Sequence, residues 1–216
     1  MILDQIEALA NKRGLTIAGY CPVQPQDNLP DEAKSLVLLR PDEPTFWQMF
    51  QSSPEMQDLA PDPMDRWSKK VITRIANAVD GMPYFPFGGP PYWPFYTWAI
   101  RSKTSFESPI RLLVHSTAGL FISFRGAIAV PYNLTTVMNT QSPCLNCSAP
   151  CTTSCPVGAL TQAGYDVPAC KTHLAKEEGQ PCRTGGCLAR RACPISQSFP
   201  REKAQSAFHL DAFIQA

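Results

Sequence analysis

The spacing of apolar residues predicts alternating helices and strands in the N-terminal part of the chain. Segments with apolar residues at helical spacing, predicted to be helices, are 2–13, the stretch between Pro44 and Ser52, and 62–79. Short runs rich in β-branched and aliphatic residues, predicted to be strands, are 14–23 and 35–40. These segments predict a folded domain that contains both kinds of element.

Two further apolar runs, 109–116 and 119–131, predict adjacent core strands that are joined by a tight connection and suit the centre of a sheet. Residues 82–102 precede them and are too rich in Pro, Gly and aromatic residues to be regular, although a helix is predicted near Tyr96–Arg101. A last helix is predicted over 201–215, where it could pack the C-terminal part of the chain onto the N-terminal part.

The pattern changes near residue 141, where aliphatic periodicity fades and cysteines become frequent. Eight of the nine cysteines lie between Cys144 and Cys193. A small region with few aliphatic residues needs a metal or another staple to fold. We therefore predict two domains, an α/β domain over 1–140 and a metal-organised module over 141–216.

Composition and charge narrow the classes of partner and the compartment. Hydrophobic residues make up 44% of the chain, and the formal net charge is +1. This balance predicts a folded protein with no strong field to attract nucleic acid or an anionic membrane. The sequence shows no secretory signal and no apolar run of spanning length. We therefore expect a cytoplasmic protein whose cysteines stay reduced and bind metal.

The first cysteine run has the pattern C-x₂-C-x₃-C-x₃-C-P and contains Cys144, Cys147, Cys151 and Cys155. Three thiolates on one tight turn can occupy three corners of a 4Fe-4S cluster. The fourth cysteine, which is followed by proline, then serves a neighbouring cluster, as in bacterial ferredoxins.

The second run also ends in Cys-Pro, at Cys193-Pro194. Two interlocked sets of ligands follow from this arrangement. They are Cys144, Cys147, Cys151 and Cys193 for one cluster, and Cys155, Cys170, Cys182 and Cys187 for the other. The same eight residues could instead form two structural zinc sites or remain free thiols. Crowding of three ligands onto one turn favours the clusters. Cys21 lies apart from both sets and is read as a buried core residue.

The cysteine-rich third resembles dicluster ferredoxin modules, and more closely those fused in epoxyqueuosine reductases and reductive dehalogenases. The continuation Cys155-Pro-Val-Gly-Ala-Leu160 carries the resemblance. The chain departs from that pattern by an extra residue before Cys151 and by the wider C-x₄-C-x₅-C-P spacing of the second run. The resemblance implies two 4Fe-4S clusters and an electron-transfer role with a redox donor or acceptor protein.

Residues 112–127 resemble the His-Pro-x-x-Gly-x-Trp-x-x-x-Arg-Gly region of CblC-type cobalamin-processing proteins, with Ser116 where the relatives often have proline. The resemblance implies an α+β protein whose N-terminal domain has a nitroreductase-like (CblC-like) α/β fold and binds cobalamin or flavin. The implied cofactor-binding residues are His115, Gly119, Phe121, Arg125, Phe87 and Gly88.

The two polar residues of this group, His115 and Arg125, could have a structural role instead of binding a cofactor. His115 could instead be satisfied by the backbone at a strand end, and Arg125 could pair with a carboxylate of the protein.

Three functions remain open at this stage. The clusters could reduce a cobalamin or flavin held by the N-terminal domain, which would make the protein an oxidoreductase. The protein could instead be a dicluster carrier whose N-terminal domain only docks partners. The metal could also merely staple the fold. No dinucleotide fingerprint, P-loop or catalytic triad is visible in the sequence.

Overall fold

The structure, a computed structural model, describes residues 1–135 and 141–215. Its helices are α1 (Ile2–Asn11), α2 (Thr45–Gln51), α3 (Pro54–Gln57), α4 (Pro63–Asn77), α5 (Phe95–Arg101), α6 (Val167–Leu174), α7 (Gln180–Gly185), α8 (Leu188–Ala192), α9 (Pro194–Ser198) and α10 (Lys203–Gln215). Its strands are β1 (Leu15–Pro22), β2 (Ser35–Pro41), β3 (Met82–Tyr84), β4 (Ser105–Glu107), β5 (Leu113–His115), β6 (Gly126–Val130), β7 (Leu160–Thr161) and β8 (Gly164–Tyr165). The fold class is therefore α+β, as predicted.

The chain divides into two compact units: Met1–Thr104 with Ser123–Asn139, and Ser105–Ile122 with Thr140–Ala216. Residues 105–122, which the sequence grouped with the N-terminal domain, thus belong to the second unit. The expected boundary after residue 140 falls at 136–140, outside the described residues. No helix in the described ranges is long and apolar enough to cross a membrane.

The first unit is built on a four-stranded antiparallel sheet with the strand order β1-β2-β6-β3. In β2 only Arg40 is not fully buried, and β6 is buried along its whole length. Helix α4 packs against β6 at Gly126, where an added Cβ would lie 2.7 Å from Cδ1 of Ile72. A glycine at this position therefore lets the helix approach the sheet closely. The apolar face predicted for 62–79 is the face that α4 buries.

The predicted pairing of the two strands within 109–131 is wrong. β5 pairs with β4, whereas β6 pairs with β2 and β3. The backbones of His115 and Gly119 exchange two hydrogen bonds of 2.9 Å and close a tight turn. After this turn the chain forms no strand until Gly126. The apolar run at 119–131 therefore joins two units and is not one continuous strand.

Two small hairpins and several short helices make up the second unit. The hairpins are β4–β5 and β7–β8. Helix α10, expected to pack onto the N-terminal domain, packs against α7 within its own unit. Their contact is close because Gly186 has φ +83° and lacks a Cβ, which would otherwise lie 2.6 Å from Cβ of Ser206.

Candidate metal centre

Four cysteine side chains line a cavity of about 390 Å³ in the second unit: Cys144, Cys147, Cys151 and Cys193. The rest of the lining is mostly apolar and includes Val114 and Leu120, with the polar side chains of Ser108, Asn146 and Ser148. This volume far exceeds the ~10–15 Å³ that one water-sized particle occupies. The thiols therefore surround a space that can hold a multi-atom group.

Local backbone geometry explains why each of these cysteines reaches the cavity. Cys147 donates its backbone N–H to the carbonyl of Cys144 over 3.3 Å, so the two lie on one turn. Cys151 is the central residue of a 3-10 turn, Pro150–Thr152. Cys193 has extended backbone between α8 and α9, and Pro194 begins α9. Proline suits a first helical position because its missing N–H would have no partner there. The Cys-Pro pair thus ends one helix and starts the next.

The other four cysteines of the module form a second group. Cys155 precedes β7, Cys170 lies on α6, Cys182 lies on α7, and Cys187 is the N-cap residue of α8. Helix α6 is fixed at its start because the Asp166 side chain accepts a hydrogen bond of 2.9 Å from the backbone N–H of Ala169. The second group therefore draws one member from the first cysteine run and three from the second.

Electrostatic interactions between the thiols delimit the two groups. Burial raises the pKa of Cys151, and the thiolates of Cys144, Cys193 and Cys147 raise it further. The pKa of Cys144 is raised in the same way by burial and by Cys193 and Cys147.

In the second group, burial raises the pKa of Cys182, and nearby Cys187, Cys170 and Cys155 add to the shift. The pKa of Cys170 is likewise raised, by burial and by Cys187 and Cys155. Each of these electrostatic interactions falls within one of the two predicted sets of four.

The first group is spread around a space and does not converge on a point. Within residues 1–135 and 141–215, no three Cys, His, Asp or Glu side chains are close enough together to bind one metal ion. A single zinc ion needs its four sulfurs about 3.8 Å apart, because Zn–S bonds are about 2.3 Å and tetrahedral. A cubane cluster accepts a wider spacing, since each thiolate binds a different iron.

Hydrogen bonds to three of the sulfurs come from residues that the sequence did not single out. Backbone N–H groups of Ala149 and Ala159 donate to Sγ of Cys147 and Cys155 over 3.4 and 3.3 Å. The Tyr165 hydroxyl donates to Cys170. The N–H group of Gly186 donates to the Cys182 carbonyl over 2.8 Å. Donors to thiolate sulfur stabilise the reduced state of an iron-sulfur cluster.

The six residues implied for a cobalamin or flavin site fall in both units. His115, Gly119 and Phe121 belong to the second unit, where they contact other residues of the same unit. The Nδ1 atom of His115 accepts hydrogen bonds from the N–H groups of Thr117 and Ala118 over 3.1 and 3.2 Å. His115 therefore caps its own turn. The structure therefore agrees with the alternative role, in which the backbone satisfies His115. The partners of its Nδ1 atom are backbone N–H groups.

Gly119, in the tight turn after β5, contacts Ser196 of α9. Its φ is +57°, and an added Cβ would lie 2.5 Å from the backbone nitrogen of Ser196. The next residue, Leu120, donates its N–H to Oγ of Ser196 over 2.9 Å. Because α9 follows Cys193 directly, this contact also fixes one wall of the cysteine-lined cavity.

Arg125, Phe87 and Gly88 lie in the first unit. Gly88 has φ +83° and no neighbour within 4 Å of an added Cβ. Arg125 is buried, and its Nη2 contacts Oδ1 of Asp65 at 3.2 Å. Its guanidinium lies 5.9 Å from the centre of the Phe87 ring. The ion pair that competed with a ligand role is therefore present, yet Nε of Arg125 is buried without a hydrogen-bond partner among the described residues.

Two remaining residues also have clear positions. Cys21 lies in the core of the first unit, as expected, and burial raises its pKa to about 12. His173 is buried on α6, one turn from Cys170, and its Nε2 has no hydrogen-bond partner among the described residues. The sequence did not single it out. Helical periodicity alone could not show this burial, because it depends on packing between short helices, α6 against α7 and α7 against α8.

The geometry of the second unit therefore places four thiols around one cavity. Its other four thiols interact electrostatically with one another. Comparison of the chain with protein-family models, with curated proteins and with solved structures finds no match.

Proposed function

We propose that the second unit holds two 4Fe-4S clusters and that the protein transfers electrons. The observation that carries the proposal is the cavity of about 390 Å³ lined by four cysteines, one of which comes from the far end of the second cysteine run. A bound cluster supplies one-electron chemistry over a wide range of potentials. Structural zinc, the alternative for the same eight residues, is less well supported because three cysteines of the first run crowd onto one turn, whereas zinc sites more often use two separated pairs.

The chain's own residues have separate tasks in this proposal. The eight cysteines hold the clusters, and the apolar side chains of Val114 and Leu120 form part of the wall of the first site. N–H groups of Ala149 and Ala159 and the hydroxyl of Tyr165 offset negative charge on the sulfurs.

The finer part of the proposal concerns the electron acceptor. We propose that the N-terminal domain has the nitroreductase-like fold and binds a cobalamin, or alternatively a flavin, which the clusters reduce. Support comes from Arg125, because a buried guanidinium with an unpaired Nε is suited to a phosphate or amide group of a ligand. Its neighbour Phe87 offers an aromatic surface for such a ligand.

Metal analysis tests the cluster proposal. Protein purified without oxygen should contain about eight irons and eight sulfides per chain and give EPR signals of two interacting clusters after dithionite reduction. Cys21→Ala should keep all the iron, because Cys21 lies in the core of the first unit. Two zinc ions per chain in place of iron would show that the proposal is wrong.

A titration of the same protein with hydroxocobalamin and with FMN tests the acceptor. Arg125→Lys keeps the charge but loses the planar guanidinium, so it should weaken binding, whereas the exposed control Arg13→Lys should not. Circular dichroism checks that both variants fold. Iron-loaded protein that binds neither compound would favour the alternative, a dicluster electron carrier whose N-terminal domain docks partners.

A further inference from the structure

A second, wider cleft of about 660 Å³ opens in the second unit, and its charged lining is entirely basic. Arg191, Arg201 and Lys203 line it, and no carboxylate does so among the described residues. Glu202 lies between two of these cations in sequence but does not line the cleft. The charged side chains that line the cleft are therefore all positive.

Contacts with neighbouring residues position two of the cations. Arg201 lies 5.5 Å from the centre of the Phe121 ring and donates a hydrogen bond from Nη1 to the Phe121 carbonyl over 2.8 Å. Arg191 extends over Gly185, where an added Cβ would lie 2.9 Å from its Nη1. Neither Arg191 nor Lys203 forms a salt bridge with a described residue. Their charge remains available to a partner.

The cleft also adjoins both cysteine groups. Ser154, Leu188 and Ala192 line it, and they are chain neighbours of Cys155, Cys187 and Cys193 respectively. Two of these cysteines belong to the second group and one belongs to the first. A molecule seated in the cleft would thus lie one residue away from ligands of either proposed cluster.

We propose that this basic cleft docks the acidic surface of a one-electron carrier protein. The inference rests on the proposed function, because a carrier is needed only if the second unit holds clusters. The docked carrier would lose one electron, an oxidised cluster would gain it, and no proton or bond would change. A protein fits better than a small anion, since the cations are surface residues of which Lys203 is exposed. Such dispersed surface charges steer a charged partner and give weak, salt-sensitive complexes.

Binding of an acidic flavodoxin in its oxidised, unreactive form tests the proposal without depending on turnover. The variant Arg191→Gln/Lys203→Gln should raise the dissociation constant roughly tenfold at low ionic strength and flatten its salt dependence. Lys176→Gln removes one charge from an exposed position outside the cleft and is the matched control. Lys203→Gln alone should give an intermediate loss, which guards against misfolding of the double variant.

Electron transfer provides the second readout. Photoreduced flavodoxin should reduce the double variant more slowly than the control, whereas the cationic methyl viologen radical should reduce both at the same rate. Equal flavodoxin affinities in the double variant and the control would overturn docking at this cleft. Equal slowing with both reductants would overturn it too, because the cations would then act on the clusters. Protein without iron would instead mean that the proposed function has failed.

Discussion

Gly119→Ala tests how the tight turn after β5 holds the second unit together. The wild-type φ of +57° costs an alanine about 1 kcal/mol. Its Cβ would lie 2.5 Å from the nitrogen and 2.6 Å from Oγ of Ser196, so α9 must move away. Overpacking of this kind costs about 2 kcal/mol, and loss of the Leu120 N–H bond to Ser196 costs about 1 kcal/mol. We expect a total loss of about 3–5 kcal/mol.

Urea unfolding followed by far-ultraviolet circular dichroism measures this loss. The matched control is Gly158→Ala, because Gly158 has φ +61° in the same unit but nothing within 4 Å of an added Cβ. The control should lose about 1 kcal/mol, from the backbone alone. Gly119→Ala should in addition lower the iron content, since α9 follows Cys193 directly. Equal unfolding midpoints for the two variants would refute the close approach of Gly119 to Ser196.

Three further changes test the cysteine groups and the first unit. Cys155→Ala and Cys170→Ala should give the same EPR spectrum, because each removes a ligand of the same proposed cluster although the two cysteines lie in different runs. Spectra that differ would contradict the second group. Tyr165→Phe removes the hydroxyl donor to Cys170 and should lower the reduction potential of that cluster only, as followed by EPR during a redox titration. Asp27→Asn removes the carboxylate that contacts the Arg101 guanidinium and should cost about 3 kcal/mol in urea unfolding at pH 7. Burial raises the pKa of Asp27, but the hydrogen bond and charge of Arg101 outweigh burial and lower this pKa below 3.8. The wild type therefore loses the stability that the ion pair contributes as the pH falls below 3.8. The difference in unfolding free energy between the wild type and Asp27→Asn should then narrow.

The sequence predicted five of the ten helices in the described ranges, α1, α2, α4, α5 and α10, because each depends on a local pattern of residues. Helix α4 lies within its predicted range because its apolar residues recur once per turn. The four cysteines around the cavity could be grouped in advance because a thiol at the far side of a tight turn, followed by proline, points away from its neighbours. Residues that contact across long sequence separations left no such signal. The Arg125–Asp65 ion pair spans 60 residues and carries no local pattern.

The pairing of β5 and β6 failed for a related reason. Two apolar runs joined by few residues are typical of a hairpin, but a turn closed by His115 and Gly119 can also send the chain elsewhere. The basic cleft was equally hidden. Its cations come from α8, from the start of α10 and from the linker before α10, and the net charge of +1 gave no hint of a local excess.

The interlocked cysteine groups have a consequence for synthesis on the ribosome. The second group is complete once Cys187 has been made, but the first group, which begins at Cys144, must wait for Cys193. The site that starts earlier in the chain would therefore be finished later.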